Sequence, residues 1–309
     1  MSDLNIIVYE NGCKTPDHEV LACIRKAFKL GFNTLALNVI IGESELSTKQ
    51  PLPKPIKFDI PEFCLKEARS QGRTLKLLTR LSGKVSDNQQ AHKLQHNPIS
   101  CEYDLLAAFP TTHGLLNSII DQGGVDILFY PLTETYAFPK NSCISYAIQK
   151  GIFYELAYSP LLGPKRAVAL RSMRRLMHHE RTGFIFSSGT SSPEFLRGPL
   201  DVSFLGHLLE LEADYARRLV WDAPSNVLVH AETRRRKDRG AVMAQFLDKV
   251  PPGERWLIEA CQVKPKVQPT QQKQQQKGQK QAAETQKQEV DDDGTDVRET
   301  PAYKRQRTE

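Results

Sequence analysis

The first 190 or so residues repeat one unit: an amphipathic helix, a glycine or polar stop, and a short run of Val, Ile, Leu and Phe. In the first copy, Thr15 is the predicted N-cap, Pro16 takes the first helical position, and Gly31 ends the helix in a left-handed conformation. The strand that follows, residues 32–39, is hydrophobic almost throughout rather than alternating. Such runs are typical of parallel strands that are covered by helices.

Seven such runs alternate with helices. This order predicts either a doubly wound sheet or a (β/α) barrel. No Gly-x-Gly-x-x-Gly follows the first strand, which disfavours the dinucleotide-binding arrangement and favours an α/β fold of the TIM-like barrel class. A regular barrel has eight strands, so either an eighth strand escapes detection or the barrel is irregular. The predicted strands are residues 5–9, 32–39, 75–81, 103–109, 125–130, 152–158 and 184–187.

Local signals also place the helix ends. Ser86 or Asp87 caps the third helix, Thr112 caps the fourth, and a long basic helix covers residues 165–180. Beyond Ser188 the pattern becomes entirely helical, with Ser225 as the N-cap of the last helix. The predicted helices of this segment are residues 201–210, 212–221 and 225–235.

Composition divides the chain into three parts. Residues 1–240 are predicted to form the barrel with its helical C-terminal segment, residues 241–262 a linker, and residues 263–309 a disordered Gln/Lys-rich tail. Of the last 47 residues, 11 are Gln, and too few large apolar side chains are present to offset the chain entropy. The basic tetrad at residues 304–307 fits a nuclear-import pattern or an ordinary solvated tail.

Charge and cysteine content restrict the class of protein. The 42 Lys and Arg residues against 36 Asp and Glu give a net charge of +6, a mild bias toward polyanionic partners. The six cysteines lack the spacing of a zinc knuckle, so we expect reduced thiols in an intracellular protein. Neither a secretory signal nor a membrane-spanning run is recognisable, and no membrane partner is expected.

The predicted strand ends are poor in catalytic groups. Metal-dependent phosphoesterase barrels place His-x-His directly after the first strand, but here that place holds Tyr9-Glu10-Asn11. The carboxylates at other strand ends are isolated, and Ser187-Ser188-Gly189 lacks the frame of a nucleophile elbow. We therefore expect no catalytic residue, no metal site and no cofactor.

Basic residues are more informative. Arg171, Arg174, Arg175 and His178 recur at i, i+3, i+4 and i+7 and so form one stripe of the predicted long helix. Guanidinium groups bind phosphate oxygens bidentately, which suggests contact with RNA, although a solvated helix face explains the pattern equally well. A second cluster, residues 234–239, either contacts a partner or serves as a cationic helix C-terminus.

Two single arginines are ambiguous. Arg80 ends an apolar strand, where a charge is costly unless it is paired or faces a ligand. A structural salt bridge and a contact with phosphate or a partner both remain open for it. Arg197 lies in the loop after the last strand and carries the same ambiguity.

Six ordered segments together resemble one family, the barrel-shaped protein subunit of ribonuclease P and ribonuclease MRP, over about residues 5–236. No single segment is decisive, but their order and spacing make coincidence a poor explanation. The segments are Leu75-Lys76-Leu77-Leu78-Thr79-Arg80-Leu81, Tyr103-Asp104-Leu105-Leu106-Ala107-Ala108-Phe109-Pro110, Phe153-Tyr154-Glu155-Leu156-Ala157-Tyr158-Ser159-Pro160, Ser187-Ser188-Gly189, Arg197-Gly198-Pro199-Leu200-Asp201-Val202 and His230-Ala231-Glu232-Thr233-Arg234.

The resemblance implies an irregular TIM-like barrel, distantly similar to PHP phosphoesterases but without their metal ligands. It also implies that an RNA subunit performs catalysis, removing the 5′ leader of precursor tRNA or, in MRP, processing ribosomal RNA. The expected partners are that RNA, precursor tRNA in the holoenzyme, and other protein subunits, including a small one with an RNA-binding fold. Within the matching segments, the candidates for RNA or subunit contact are Lys76, Arg80, Arg197 and Arg234.

One departure from the family is expected in the first strand, where an Asp is common and residues 5–9 contain none. The hypothesis is a non-catalytic subunit of ribonuclease P and MRP located in the nucleus and nucleolus. Two alternatives are a divergent metal-dependent PHP-type phosphoesterase and a purely architectural subunit that does not touch RNA.

Overall fold

The strands form a single sheet in the computed structural model, which describes residues 1–235 except 48–49, 135, 137 and 179–181. The predictions for residues 236–309, including the linker and the tail, lie outside the described residues. The strands are β1 (Ser2–Glu10), β2 (Cys13–Lys14), β3 (Thr34–Ile41), β4 (Lys76–Val85), β5 (Leu105–Pro110), β6 (Ile127–Leu128), β7 (Phe153–Ala157) and β8 (Phe184–Ser187).

Helices connect the strands and continue after them. Short 3₁₀ turns at Ser159–Leu162, Pro193–Phe195 and Gly206–Leu209 complete the connections. The helices are α1 (Asp17–Lys29), α2 (Glu62–Ser70), α3 (Asn88–His96), α4 (Pro98–Cys101), α5 (His113–Gln122), α6 (Asn141–Gln149), α7 (Arg166–Leu176), α8 (Pro199–Leu205) and α9 (Ala213–Arg235). No helix in this part of the chain is long and apolar enough to cross a membrane.

Seven of the strands run parallel in the order β1-β3-β4-β5-β6-β7-β8, and β2 pairs antiparallel with the end of β1. The chain after β8 then returns to β1: the Ile7 N–H donates to the Thr190 carbonyl at 2.9 Å, and the Gly189 N–H donates to the Asn5 carbonyl at 3.0 Å. Gly189 has φ +61°, and a Cβ there would lie 2.6 Å from the Ala157 Cβ, so this junction requires glycine. The predicted irregular barrel is confirmed, with seven parallel strands.

Several helix ends follow the predictions from local signals. Asp87, rather than Ser86, caps α3 by accepting a hydrogen bond from the Gln90 N–H at 2.7 Å, and Thr112 caps α5. Pro16, not Thr15, is the N-cap residue of α1. The basic helix α7 ends at Leu176, earlier than predicted, because the backbone leaves helical geometry at Met177.

The predicted helices 212–221 and 225–235 are one continuous helix, α9, with Pro224 inside it. The prediction of a break was wrong because a proline removes one backbone donor but does not stop a helix that is held by packing. Instead of capping a new helix, the Ser225 hydroxyl donates back to the Trp221 carbonyl at 3.3 Å.

Helix α9 seals the amino-terminal end of the barrel. Its apolar residues Val227, Leu228 and Ala231 pack into the layer formed by inward-facing side chains near the starts of the strands. That layer consists of Leu4, Ala36, Leu78, Leu105, Ala107, Ile127 and Ile185. The other faces of the strands pack against α1 to α7 in the main core.

A buried carboxylate, Asp126, clasps α9 to the sheet. Its Oδ1 lies 2.9 Å from Nδ1 of His230, and the guanidinium of Arg234 bonds both of its oxygens at 3.0–3.1 Å. The Leu106 N–H donates to Oδ2 at 2.9 Å. Burial acts to raise the pKa of Asp126, but Arg234 and His230 together hold it below its usual range. Arg235 adds an ion pair with Asp104 at 2.9 Å.

We expect Asp126→Ala to destabilise the fold by about 3–5 kcal/mol, because it leaves the Arg234 guanidinium buried without its counter-charge. Denaturant unfolding at neutral pH measures the loss, and Asp222→Ala, an exposed carboxylate on α9, is the control. The folded-state pKa of Asp126 lies below its unfolded value, so its contribution to stability is fully present above the ordinary carboxyl pKa of 3.8 and is lost as the pH falls through the lower folded pKa. Equal losses for the two variants would contradict the clasp.

Candidate functional site

The centre of the barrel holds a buried ion pair. Alternate positions of β4 point inward, which carries Arg80 into the interior, where its side chain is 0% exposed. Its two terminal nitrogens bond the two carboxylate oxygens of Glu155 on β7, each at 2.6 Å. The guanidinium also donates to the Leu4 carbonyl at 2.9 Å and to the Ser82 hydroxyl at 3.0 Å.

Polar side chains from neighbouring strands extend this pair into a network. The Ser82 hydroxyl donates to Asn38 Oδ1 at 2.8 Å, and Asn38 Nδ2 donates to Asn5 Oδ1 at 2.7 Å. On the other side, the Ser187 hydroxyl donates to Glu155 at 2.7 Å. The network therefore spans β1, β3, β4, β7 and β8.

The first strand contains an Asp after all. Strand β1 begins at Ser2 and so includes Asp3, whose Oδ1 accepts from the backbone N–H groups of Asn5 and Ser188 at 3.2 and 3.0 Å. Burial raises the pKa of Asp3 in spite of these hydrogen bonds. The expectation that the first strand lacks an Asp was wrong, because the strand begins at Ser2 rather than at residue 5.

This network determines what the barrel centre can do chemically. Glu155 is neutralised by Arg80, and the side chains around the pair are bonded to one another. In the described part of the chain, no group of three His, Cys, Asp or Glu residues could hold a metal ion. The side chain of Arg80 is inaccessible and forms a salt bridge with Glu155, so the structure favours the structural alternative for Arg80 over an RNA or subunit contact.

Helix α7 presents Arg171, Arg174 and Arg175 on its exposed side, and His178 is exposed just beyond the end of the helix. Two arginines of this stripe contact different neighbouring segments. Arg174 donates to the Leu208 carbonyl at 2.8 and 3.1 Å and pairs with Glu210 at 3.0 Å. The Arg175 guanidinium lies over the Phe138 ring at 4.0 Å from its centroid.

The other predicted contact residues do not join this stripe. Lys76 is the half-buried first residue of β4, at the amino-terminal end of the barrel. Arg234 belongs to the clasp, and its side chain is only 5% exposed, which argues against an RNA or subunit contact for it as well. Arg197, half-buried, donates to the Glu194 and Leu196 carbonyls at 2.7 and 3.0 Å and so holds the loop after β8.

An apolar ridge on α8 and the following 3₁₀ turn was missed by the sequence reasoning. It consists of Leu200, Phe204 and Leu208, which are 58%, 64% and 48% exposed. The i, i+4, i+8 spacing was visible, but it does not say which face of a short helix is buried; here Val202 and Leu209 pack inward instead. The ridge adjoins the basic helix, since Arg174 bonds the Leu208 carbonyl.

Residues 1–236 match the family model described as RNase P subunit p30. The chain belongs to this family. The ribonuclease P protein subunit p30 of Mus musculus is 28% identical over 217 residues, which cover 69% of this chain and 80% of the mouse protein. The ribonuclease P/MRP protein subunit RPP1 of Saccharomyces cerevisiae is 24% identical over 220 residues, or 69% of this chain and 73% of the yeast protein.

A solved structure supports the fold of the p30 family in this chain. One chain in the cryo-EM structure of an archaeal ribonuclease P with mature tRNA superposes with a TM-score of 0.50 at 15% identity. The match covers 78% of this chain and 98% of that chain. The family model and the curated relatives confirm the family resemblance read from six segments, and the chain is a subunit of ribonuclease P.

The segments that carry the resemblance contribute residues to both buried networks. Arg80, Glu155 and Ser187 build the network in the barrel centre. His230 and Arg234 build the clasp of α9. Their charged and polar residues thus maintain the p30 barrel, whereas the exposed basic and apolar surfaces lie on α7 and α8.

We expect Arg80→Met to destabilise the fold by about 3–5 kcal/mol, because the Glu155 carboxylate is left buried without its partner. The double change Arg80→Met with Glu155→Leu should recover part of that loss, since both charges are then absent. Lys84→Met, which removes a half-exposed pair with Glu43, is the control and should cost about 1 kcal/mol or less. Urea unfolding measures all three. A double variant no more stable than Arg80→Met alone would contradict the coupling.

Proposed function

We propose that the chain is a non-catalytic protein subunit of ribonuclease P and of ribonuclease MRP. In this proposal an RNA subunit removes the 5′ leader of precursor tRNA, or processes ribosomal RNA in MRP, and the barrel helps to fold and position that RNA. The observation that carries the proposal is the Arg80–Glu155 network, which fills the barrel centre with side chains bonded to one another. A divergent PHP-type phosphoesterase would instead need clustered metal ligands at the carboxyl ends of the strands, and among the described residues no group of three His, Cys, Asp or Glu could hold a metal ion.

The basic side of α7 is the surface that we assign to RNA. Arg171 and Arg175 are exposed, and the stacking of Arg175 on Phe138 holds its guanidinium in a defined position. A pre-positioned planar guanidinium loses less side-chain entropy when it binds a phosphate. Arg174 contributes charge but is also bonded to Leu208 and Glu210, so it stabilises the junction with α8 as well.

The apolar ridge is the surface that we assign to a protein subunit of the same particle, such as the small subunit with an RNA-binding fold. Half of the exposed large apolar side chains of the described residues lie on this one ridge. Apolar groups clustered in this way are typical of protein–protein contacts. A particle that assembles around nuclear RNA would place the chain in the nucleus and nucleolus.

Purification of the tagged chain from nuclear extract tests the proposal. We expect a ribonuclease P or MRP RNA in the purified material and cleavage of precursor tRNA that micrococcal nuclease abolishes. Cleavage that survives destruction of the RNA and stops with a chelator would instead make the barrel the enzyme. Recovery of protein subunits with the particle RNA, but without any crosslink from this chain to that RNA, would favour the architectural alternative.

The contact of α7 with RNA has its own signature in the salt dependence of binding. We expect Arg171→Gln with Arg175→Gln to weaken binding of the particle RNA and to reduce the slope of log affinity against log salt by about 1.5, since each lost phosphate contact removes about 0.7–0.9. Arg69→Gln, an exposed arginine of α2, is the matched control. Unchanged affinity and an unchanged slope would exclude α7 as the contact.

A further inference from the structure

An open groove of about 610 Å³ runs along the outer face of α3. The described residues that line it contribute amides, imidazoles and one ammonium group, but no carboxylate and no large apolar side chain. The groove is separate from the basic helix, the apolar ridge and both buried networks. Its lining residues are Asn88, Gln89, His92, Lys93, His96 and Asn97.

Two imidazole rings form the centre of this groove. His92 and His96 are one helical turn apart, with ring centroids 4.5 Å from each other and ring planes tilted by 44°. Both residues are exposed, whereas Ala91 and Leu94 on the opposite side of α3 are buried in the core. The helix that carries the rings is capped by Asp87, so the pair is presented on a rigid element.

The side chain of Lys93 is held in place by the loop before α2. Its Nζ donates to the backbone carbonyls of Ser47 and Gln50. This leaves a fixed positive charge beside the imidazoles. The carboxylate that lies nearest along the chain, Asp87, is engaged at the helix N-terminus, where it accepts from the Gln90 N–H.

The combination of groups selects a class of ligand. Aromatic faces stack on unpaired bases, and Asn and Gln amides offer donors and acceptors that match base edges. The Lys93 ammonium, with no carboxylate among the described lining residues, suits a phosphate. No large apolar side chain is found among those residues, and a transition metal would have two imidazoles but no third His, Cys, Asp or Glu ligand in the described part of the chain.

We propose that the α3 groove binds one unpaired nucleotide of RNA, with its base stacked on the His92–His96 pair and its phosphate toward Lys93. The proposal rests on the proposed function, which places an RNA subunit beside this chain. It adds a contact that reads a single-stranded base and is distinct from the phosphate contact of α7.

The test uses the full chain and particle RNA that carries 4-thiouridine in place of uridine. We expect a crosslink that mass spectrometry maps to residues 88–97. The double variant His92→Ala with His96→Ala should lose this crosslink and bind the RNA about 5- to 150-fold more weakly, the range expected for loss of a base–aromatic stack. The salt slope should stay unchanged, because stacking releases no counterions. His18→Ala, an exposed imidazole on α1, should behave as the unchanged protein.

The possible outcomes test the proposed function and the groove proposal separately. If the unchanged chain does not bind the particle RNA at all, the RNA contact of the proposed function fails. If the unchanged chain binds RNA but the double variant binds equally well and residues 88–97 form no crosslink, the groove proposal alone is overturned. A rise in melting temperature with Zn²⁺ that the double variant loses, again without a crosslink, would make the groove a cation site and also overturn the proposal.

Discussion

One guanidinium and one carboxylate determine what can occupy the interior of this barrel. Removing two charges from water costs several kcal/mol for each ion, and only an ion pair with good hydrogen-bond geometry offsets that cost. Here both oxygens of Glu155 meet guanidinium nitrogens at 2.6 Å, and further donors of Arg80 reach Leu4 and Ser82. Because the groups come from different strands, the pair aligns the strands as well as filling the space between them.

Local features of the fold could be predicted from the sequence, whereas long-range pairings could not. Thr112 and Asp87 cap their helices through bonds to residues three positions away, which the sequence displays directly. Arg80 meets Glu155 across 75 positions and Arg234 meets Asp126 across 108. A sequence shows that such a charge needs a partner, but it does not show which one. Both arginines were therefore open to a surface interpretation.

The difference between local and long-range features also explains which parts of the candidate site could be predicted. The stripe of α7 depends only on helical periodicity, and its arginines are exposed as that periodicity requires. The imidazole pair of α3 has the same kind of spacing, but the groove that it shares with Lys93 and the amides, with no carboxylate among its described lining residues, becomes visible only in three dimensions. The apolar ridge was missed because Leu200 and Val202 are equally hydrophobic, and only packing decides which is exposed. The six segments that carry the family resemblance thus indicate how the barrel is held together, whereas the candidate binding surfaces become visible only in the structure.

The late position of α9 in the chain determines when the amino-terminal end of the barrel can be covered during synthesis. The floor of the barrel is assembled from residues near the starts of the strands, yet its cover consists of residues 227–231. His230 and Arg234 reach Asp126 only after more than a hundred further residues have been made. During translation this apolar layer is therefore made before α9 is available to cover it, and for that interval the layer is exposed to chaperones and to other nascent chains alike.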